Sequence, residues 1–228
     1  VYAFDSETTL INEDSPWITP AYVIGAAFNG QHGVFIPRNF VKAFFRAHRD
    51  IPVAMHNASF DLAVVQVLCG DWDIYKLVER DLVWDTRLLH RLLTLGQDGH
   101  TAGGKGQSTL ERCAEKYLAV HLPKDVRDAE GREVRKSYGQ WLTRSASEIP
   151  EVYLEYLAKD VIATQRILKE LLRSLRDLEL NAQSVWGYVS SHWLSEQWRR
   201  FGPLTHHIQL KARIVLDAIT ANGLNVDT

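Results

Sequence analysis

The 228-residue sequence has little cysteine, little net charge and no long apolar run, and each shortage excludes a class of protein. Its two cysteines, Cys69 and Cys113, form no C-x-x-C pair, which argues against a disulfide framework or a zinc ribbon and favours a reducing compartment, the cytoplasm. A formal net charge of −2 argues against a general basic coat for nucleic acid and leaves a local basic groove open. Because the chain has no run of ~18 apolar residues and no visible signal peptide, we expect neither a membrane span nor secretion.

The apolar residues that are present, 46% of the chain, follow alternating strand and helix patterns. Buried strands are predicted at 1–5, 21–29, 32–37, 52–57 and 83–85, the first three as an antiparallel meander. Helices are predicted at 39–49, 59–70, 86–95, 108–119 and 147–180, and most of 181–222 has a helical pattern as well. Strands that are interleaved with helices and then followed by helices predict an α/β fold with a mixed sheet.

Capping signals mark the start of two predicted helices. Asp85 is placed to cap helix 86–95. Ser108 with Glu111 forms a capping-box pattern at the start of helix 108–119. Both helices are therefore expected to begin where the sequence pattern places them.

Two segments lack a regular pattern, the Gly-rich stretch 96–107 and the polar stretch 120–146. The glycines at 99–106 come close to a phosphate-binding loop, because Gly99 and Lys105 have the required spacing. Gly106 stands where that loop needs Ser or Thr to bind Mg²⁺, and the segment follows a helix rather than a strand. A flexible linker is therefore favoured over an ATPase site.

Two acids stand at the end of the first predicted strand, although acids are depleted from strands. Asp5 and Glu7 are two residues apart and point to the same face. Like charges there are costly unless a cation or a donor compensates them. Two further D-x-E triplets, at 128–130 and 177–179, lie in a polar loop and on a charged helix face and are interpreted as solvated acids. A strand-end turn with solvated acids is the alternative for Asp5 and Glu7.

Two more acids fall on predicted helices. Asp61 is the third residue of the helix after strand 52–57, and the carboxyl ends of strands are where sites of α/β proteins gather. An acid favoured by the helix dipole is the alternative for Asp61. Tyr156 and Asp160 are four residues apart and share a helix face, with a packed tyrosine beside an exposed acid as the alternative.

Taken together, the acids Asp5, Glu7, Asp61 and Asp160 predict a site for divalent cations. Ligation by carboxylates alone suits Mg²⁺ or Mn²⁺ rather than Zn²⁺. Two such ions ~3.5–4 Å apart can clamp the attacking and leaving oxygens of a phosphodiester. A role in holding metal ions would explain why the first strand carries the two acids Asp5 and Glu7.

The motifs "FDSET", "HNASFD" and "YLAKD", in this order, resemble those of the DEDD superfamily of 3′–5′ exonucleases. Tyr156 matches the DEDDy branch, whereas the histidine branch has His where this chain has Glu155. The stretches 84–89, 108–118 and 216–227 resemble the proofreading domain of family A DNA polymerases. This resemblance implies a ribonuclease H-like fold, with an exonuclease domain at 1–180 and a helical extension at 181–228.

The resemblance also implies a role for each motif residue. Asp5 bridges both ions, and Glu7 and Asp160 hold the ion that activates the attacking water. Asp61 holds the second ion, and Tyr156 orients the water. At neutral pH a tyrosine hydroxyl with its ordinary pKa of ~10 is a poor full base.

Further positions near the motifs are assigned by the same resemblance. Thr8 and Asn57 are expected to contact the terminal nucleotide. Leu10 or Ile11 could wedge against the last base, but plain core packing is favoured. Asp85 holds a family-like position and is expected to be structural.

The expected reaction is hydrolysis of terminal phosphodiesters of DNA, at single-stranded 3′ ends, with release of nucleoside 5′-monophosphates. An exoribonuclease similar to RNase D remains an alternative, because the acids contact phosphates and metals rather than the 2′-OH. A non-catalytic module that binds nucleic-acid ends and an interaction domain of a polymerase-like protein are the other classes. The start at Val1 and the polymerase-like "ANGLNVD" at 221–227 lead us to expect the front of a larger polypeptide.

Overall fold

The computed structural model describes residues 1–99, 106–186 and 191–222, and its centre is a five-stranded mixed sheet. The order of the strands across the sheet is β3-β2-β1-β4-β5. Their bounds are β1 (Tyr2–Thr8), β2 (Tyr22–Phe28), β3 (Gly33–Pro37), β4 (Val53–Met55) and β5 (Val83–Asp85). The first three strands pair antiparallel, and β4 and β5 continue the sheet in parallel with β1. This arrangement confirms the predicted α/β, ribonuclease H-like fold.

Helices flank the sheet. Their bounds are α1 (Val41–Ala47), α2 (Ala58–Cys69), α3 (Lys76–Glu79), α4 (Thr86–Asp98), α5 (Leu110–Leu118), α6 (Val134–Ser137), α7 (Glu151–Trp186), α8 (Ser191–Phe201) and α9 (His206–Asn222). In the part of the chain that the structure describes, every helix is too short or too polar to cross a membrane.

Strand β1 runs past its parallel neighbour, so one of its edges is free at the carboxyl end. Pairing with β4 involves only Tyr2 and Ala3 of β1, whereas pairing with β2 continues as far as Thr8. The sequence pattern predicts that β1 ends at Asp5, and this is wrong because the ladder with β2 carries the strand three residues further. Asp5 and Glu7 therefore project from a paired strand rather than from a turn.

Alternate residues of β1 enter two different hydrophobic cores. Ala3 belongs to a core that includes residues of α4, α5 and α7, whereas Tyr2 and Phe4 belong to a core that includes residues of α1, α2 and α3. Successive side chains of a strand point to opposite faces. Asp5 and Glu7 therefore lie on the α7 side of the sheet, and Ser6 lies on the α2 side.

One predicted helix cap is confirmed and the other is wrong. The Asp85 carboxylate accepts hydrogen bonds from the backbone N–H groups of Arg87 and Leu88 at the start of α4. The cap of α5 is Thr109, one residue after Ser108, and its hydroxyl accepts from the N–H of Arg112. Ser108 instead contributes to contacts with His56, because its carbonyl lies 3.1 Å from a ring nitrogen of that histidine.

The two segments that were predicted to lack regular structure, 96–107 and 120–146, contain some of it. Helix α4 continues to Asp98, inside the predicted Gly-rich loop, and residues 100–105 of that loop lie outside the described residues. The polar stretch 120–146 contains the short helix α6 and a bridge between Arg127 and Glu133. The predicted helix 147–180 begins later, at Glu151, because residues 146–148 form a separate turn.

The helical pattern after residue 180 is confirmed by α8 and α9 in the described residues. Helix α9 joins the core on the α2 side, where Leu210 is fully buried. His206 at its start is also buried, and its ring nitrogen accepts a 3.0 Å hydrogen bond from the N–H of Asp85. A domain division at residue 180 stays a prediction, and most of the polymerase-like end of the chain, 223–228, lies outside the described residues.

Candidate active site and metal centre

Three of the predicted acids meet on the α7 side of the sheet. Asp5 and Glu7 of β1 and Asp160 of α7 each offer a carboxylate oxygen, and these three atoms lie within 4.8 Å of one another. Asp5 and Glu7 are partly exposed, and Asp160 is buried. We call Asp5, Glu7 and Asp160 the acid triad.

Desolvation and mutual repulsion make the ionised form of the three triad carboxylates unfavourable. Desolvation by burial raises the pKa of Asp5 well above its ordinary value, and the charges of Asp61, Glu7 and Asp160 raise it further. Burial and then the charge of Asp160 act in the same direction on the pKa of Glu7. Carboxylates that are brought together in this way are stabilised either by a proton or by a nearby cation, and such perturbed groups mark candidate functional sites.

Asp61 lies beside the acid triad but faces Ser6. One of its oxygens accepts hydrogen bonds from the Ser6 backbone N–H at 3.1 Å and from the Ser6 hydroxyl at 2.6 Å. The carboxylate therefore satisfies a donor of β1 at the edge that β4 leaves free. Burial raises the pKa of Asp61 to about 7, and the hydrogen bonds from Ser6 limit the rise. Asp61 is outside the triad's 4.8 Å group, although its charge contributes to the raised pKa of Asp5.

Tyr156 shares the face of α7 that carries Asp160, as the sequence spacing predicts. The tyrosine is buried at 7% exposure, so it is packed as well as polar. Burial, and after it the charge of Asp160, raises the pKa of its hydroxyl to about 12. The hydroxyl therefore stays protonated at neutral pH and can donate a hydrogen bond.

Sequence reasoning missed Lys124, which the structure places against the same helix. Its ammonium donates to both carboxylate oxygens of Asp160, at 2.8 and 3.1 Å, and to the Tyr156 hydroxyl at 3.1 Å. Lys124 lies in the polar stretch 120–146, which has no periodic pattern that could have pointed to it. The contact joins residues more than 30 positions apart in the chain.

The two predicted nucleotide contacts have partners within the protein. The Thr8 hydroxyl donates to the Thr9 carbonyl at 2.8 Å. Asn57 has a left-handed backbone, with φ of 74°, which asparagine tolerates better than most residues. Its side-chain oxygen accepts a 3.0 Å hydrogen bond from Arg87. Both residues lie at the carboxyl ends of their strands, and Arg87 is a further polar group there.

Leu10 and Ile11 are not core residues. They are 65% and 49% exposed, so the favoured interpretation of plain core packing is wrong. The reason is that the chain leaves the sheet after Thr8 and runs over the surface. Ile11 lines an open groove of about 580 Å³, whose other lining residues include Trp17, Ile18, Asn57, Phe60, Tyr75 and Ile214.

Asp85 differs from the triad because backbone donors surround it. Besides capping α4, its carboxylate accepts from the N–H groups of Asn57 and Ala58 at the start of α2, at 3.1 and 3.0 Å. Burial raises its pKa, while these hydrogen bonds oppose the rise. This environment accounts for Asp85 as a structural residue, in agreement with the sequence-based expectation.

A ribonuclease H-like sheet with clustered carboxylates at the end of its central strand is typical of metal-dependent nucleases. Comparison with protein families identifies the family, because residues 24–176 match the model of the 3′–5′ exonuclease domain that is named for family A DNA polymerases. The match covers well over half of the chain, and the chain therefore belongs to this family of 3′–5′ exonuclease enzymes. The matched residues include Asp61, Tyr156 and Asp160, and β1 precedes them. A search of curated proteins found no match.

Membership implies a nucleic-acid substrate and dependence on divalent metal ions. The acid triad fits such an ion, because its donors are all carboxylate oxygens, the ligands that hard divalent cations prefer. A second group, Glu111, Glu115 and His121, also has ligand spacing, but its members are partly or fully exposed and Glu115 pairs with Arg112.

Proposed function

We propose that this enzyme hydrolyses the terminal phosphodiester at 3′ ends of single-stranded DNA, using two divalent ions, Mg²⁺ or Mn²⁺. The observation that carries the proposal is the acid triad next to the Tyr156 hydroxyl, in a chain that belongs to a 3′–5′ exonuclease family. Three carboxylates that repel one another at this distance are best explained by a cation that they hold in common.

The four acids are proposed as the ligands of the ions. Asp5 belongs to the triad, and the charge of Asp61 raises its pKa, which supports a role for Asp5 as the ligand shared by both ions. Glu7 and Asp160 hold one ion with it, and Asp61 supports the second. Bound divalent ions supply charge that stabilises the attacking and leaving oxygens of a phosphodiester.

The protein's own groups then position the reactants. Tyr156 keeps its proton at neutral pH, so we propose that its hydroxyl orients the attacking water by a hydrogen bond and does not act as a full base. Attack on the terminal phosphorus breaks the bond to the 3′-oxygen of the preceding nucleotide. The product is then a nucleoside 5′-monophosphate.

The groove that Ile11 and Asn57 help to line supports a single-stranded substrate. Ile11 and Asn57 follow β1 and β4 in the chain, and Trp17, Phe60 and Tyr75 give the groove aromatic side chains. Aromatic side chains stack on unpaired bases without regard to sequence. We propose that Thr8 and Asn57 contact the terminal nucleotide and that the strand continues along this groove.

Degradation of 3′-labelled and 5′-labelled oligonucleotides tests the proposal. Single-stranded DNA, duplex DNA and single-stranded RNA of one sequence are compared with Mg²⁺, with Mn²⁺ and with EDTA. The proposal expects stepwise shortening from the 3′ end of single-stranded DNA, metal dependence and 5′-monophosphates on chromatography. Faster loss of RNA under the same conditions would instead establish the exoribonuclease alternative.

Variants of the groove test the path of the strand. Trp17→Ala should raise KM for single-stranded DNA by about 10-fold, since loss of one base–aromatic stack is worth ~1–3 kcal/mol. It should leave kcat nearly unchanged, because Trp17 lines the groove and is not one of the proposed metal ligands. Val67→Ala, which shortens an exposed apolar side chain on α2 outside the groove, is the matched control. Equal KM values for the two variants would exclude Trp17 from the strand path.

A further inference from the structure

Lys124 bridges the two functional groups of α7. Its ammonium is 2.8 Å from one Asp160 oxygen and 3.1 Å from the other, and 3.1 Å from the Tyr156 hydroxyl. It also lies 4.9 Å from the centre of the Tyr156 ring, within the range of a cation–π contact. The lysine side chain is only 22% exposed, so this pairing is largely protected from solvent.

Lys124 is the principal counter-charge of the acid triad. Among the described residues it makes the only salt bridge to Asp5, Glu7 or Asp160. Its charge also lowers the pKa values of Asp5 and Glu7, against the desolvation that raises them. The lysine thus partly compensates the acids, with a smaller contribution from the charge of Arg135 at Glu7.

A lysine in this place conflicts with metal binding. The Asp160 oxygens that accept from the ammonium are the atoms that a metal ion needs, and the ammonium repels a divalent cation that approaches them. Hydrogen bonds to the ammonium occupy lone pairs on both Asp160 oxygens, which makes these oxygens weaker ligands for a metal ion.

We propose that Lys124 is a positioning residue that substitutes for metal charge in the metal-free enzyme and competes with the metal ion for Asp160. It holds Asp160 and the Tyr156 hydroxyl in place before the ion arrives. This stabilises the metal-free site and weakens its affinity for the ion. The inference rests on the proposed role of Asp160 as a metal ligand.

The test measures metal binding without nucleic acid, from the signal of free Mn²⁺ in electron paramagnetic resonance. Lys124→Met removes the charge and keeps an unbranched side chain that is one atom shorter. We expect it to lower the Kd for Mn²⁺ by about 10-fold or more, and to lower Tm in EDTA but not at saturating Mn²⁺. Lys124→Gln carries the same expectation and replaces the Met variant if that variant does not fold.

Two further variants separate this effect from charge in general. Lys124→Arg keeps the positive charge and should stay near the wild-type Kd. Lys159→Met removes a lysine next to Asp160 in sequence that is exposed and paired with Glu155, and it should also bind Mn²⁺ like the wild type. Tighter binding by Lys159→Met equal to that of Lys124→Met would mean that net charge alone is responsible, and would overturn the inference.

Asp160→Ala distinguishes failure of this inference from failure of the proposed function. If Asp160→Ala weakens Mn²⁺ binding and the neutral Lys124 variants bind as the wild type does or more weakly, competition is refuted and the metal site stands. If Asp160→Ala binds Mn²⁺ like the wild type, Asp160 is not a ligand, and both the inference and that part of the proposed function are wrong.

Discussion

Desolvated carboxylates occur in two different environments in this molecule. The Asp85 carboxylate accepts four hydrogen bonds, all from backbone N–H groups, namely those of Asn57, Ala58, Arg87 and Leu88. The acid triad on the other side of the sheet has three carboxylates that crowd one another, with a salt bridge from Lys124 alone among the described residues. Both environments desolvate their acids, but only that of Asp85 supplies hydrogen-bond donors whose positions the backbone fixes.

The difference separates a structural acid from the acids that we propose as metal ligands. Backbone donors satisfy Asp85 permanently, and in return its carboxylate joins the starts of α2 and α4. The triad has too little positive charge nearby to compensate its three carboxylates. A stable fold tolerates this unfavourable free energy only where another interaction offsets it. We propose that a bound cation provides that interaction. On this view the partners of a desolvated acid, rather than its burial alone, distinguish the two environments.

Asp5→Ala should produce the largest effect on activity. We expect a loss of about 10⁴-fold in kcat, the scale on which removal of a central catalytic group acts in other hydrolases. Tm in EDTA should be unchanged or higher, because one of several repelling charges is gone. Asp177→Ala, which removes an exposed acid of α7, is the control and should retain wild-type activity. Near-normal turnover by Asp5→Ala would remove Asp5 from the site.

Asp85→Ala should show the opposite pattern. Four backbone donors lose their acceptor, and loss of the helix cap together with unsatisfied N–H groups should cost about 3 kcal/mol in the free energy of unfolding. Urea denaturation measures this cost. Activity per folded molecule, measured well below Tm, should stay within a few-fold of the wild type. A stable variant with little activity would mean that Asp85 belongs with the triad.

Tyr156→Phe should have an intermediate effect, because it removes a hydroxyl and keeps the packed ring. We expect kcat to fall about 100-fold, the lower end of the range for acid–base and orienting contacts. Mn²⁺ binding and Tm at saturating Mn²⁺ should persist, since all four acids remain. Asp160→Ala should reduce kcat more severely than Tyr156→Phe. If the Phe variant cuts at the wild-type rate, the tyrosine serves packing only.

The smallest expected effect concerns the pH dependence of stability. The folded-state pKa of Asp61 is raised to about 7, so its contribution to stability is fully present below about pH 4 and is lost as pH rises toward 7. The raised pKa values of the triad act in the same direction. In EDTA, Tm should therefore fall over this range. Asp61→Asn, which can still accept from Ser6, should reduce the fall by a few degrees.

Measuring Tm against pH at saturating Mn²⁺ as well as in EDTA tests whether these acids bind the ion. Metal binding requires ionised carboxylates, so affinity and the stability that it confers should increase with pH. The fall of Tm between pH 4 and 7 should be weakened or reversed when Mn²⁺ is present. An identical pH profile with Mn²⁺ and with EDTA would show that these acids do not bind the ion.

The sequence was informative wherever a signal is contained in one element. Apolar alternation and helical spacing predicted the meander, the parallel strands and the long helix α7, because each pattern reflects burial along a single strand or helix. The two-residue spacing of Asp5 and Glu7 and the four-residue spacing of Tyr156 and Asp160 likewise placed each pair on one face. Boundaries were less well predicted, as the extension of β1 to Thr8 shows, because pairing with β2 decides where that strand ends.

Contacts between distant segments were decided by the tertiary structure alone. No local pattern predicts that Lys124 reaches Tyr156 and Asp160, or that Asp61 completes the free edge of β1 through Ser6. The sequence by itself determined the order of the acids along the chain and the face of the strand or helix on which each acid lies. The packing of the chain in three dimensions decides which acids meet and which cation compensates them. The reason is that a carboxylate has the same sequence signature whether its partner is an amide, an ammonium or a metal ion.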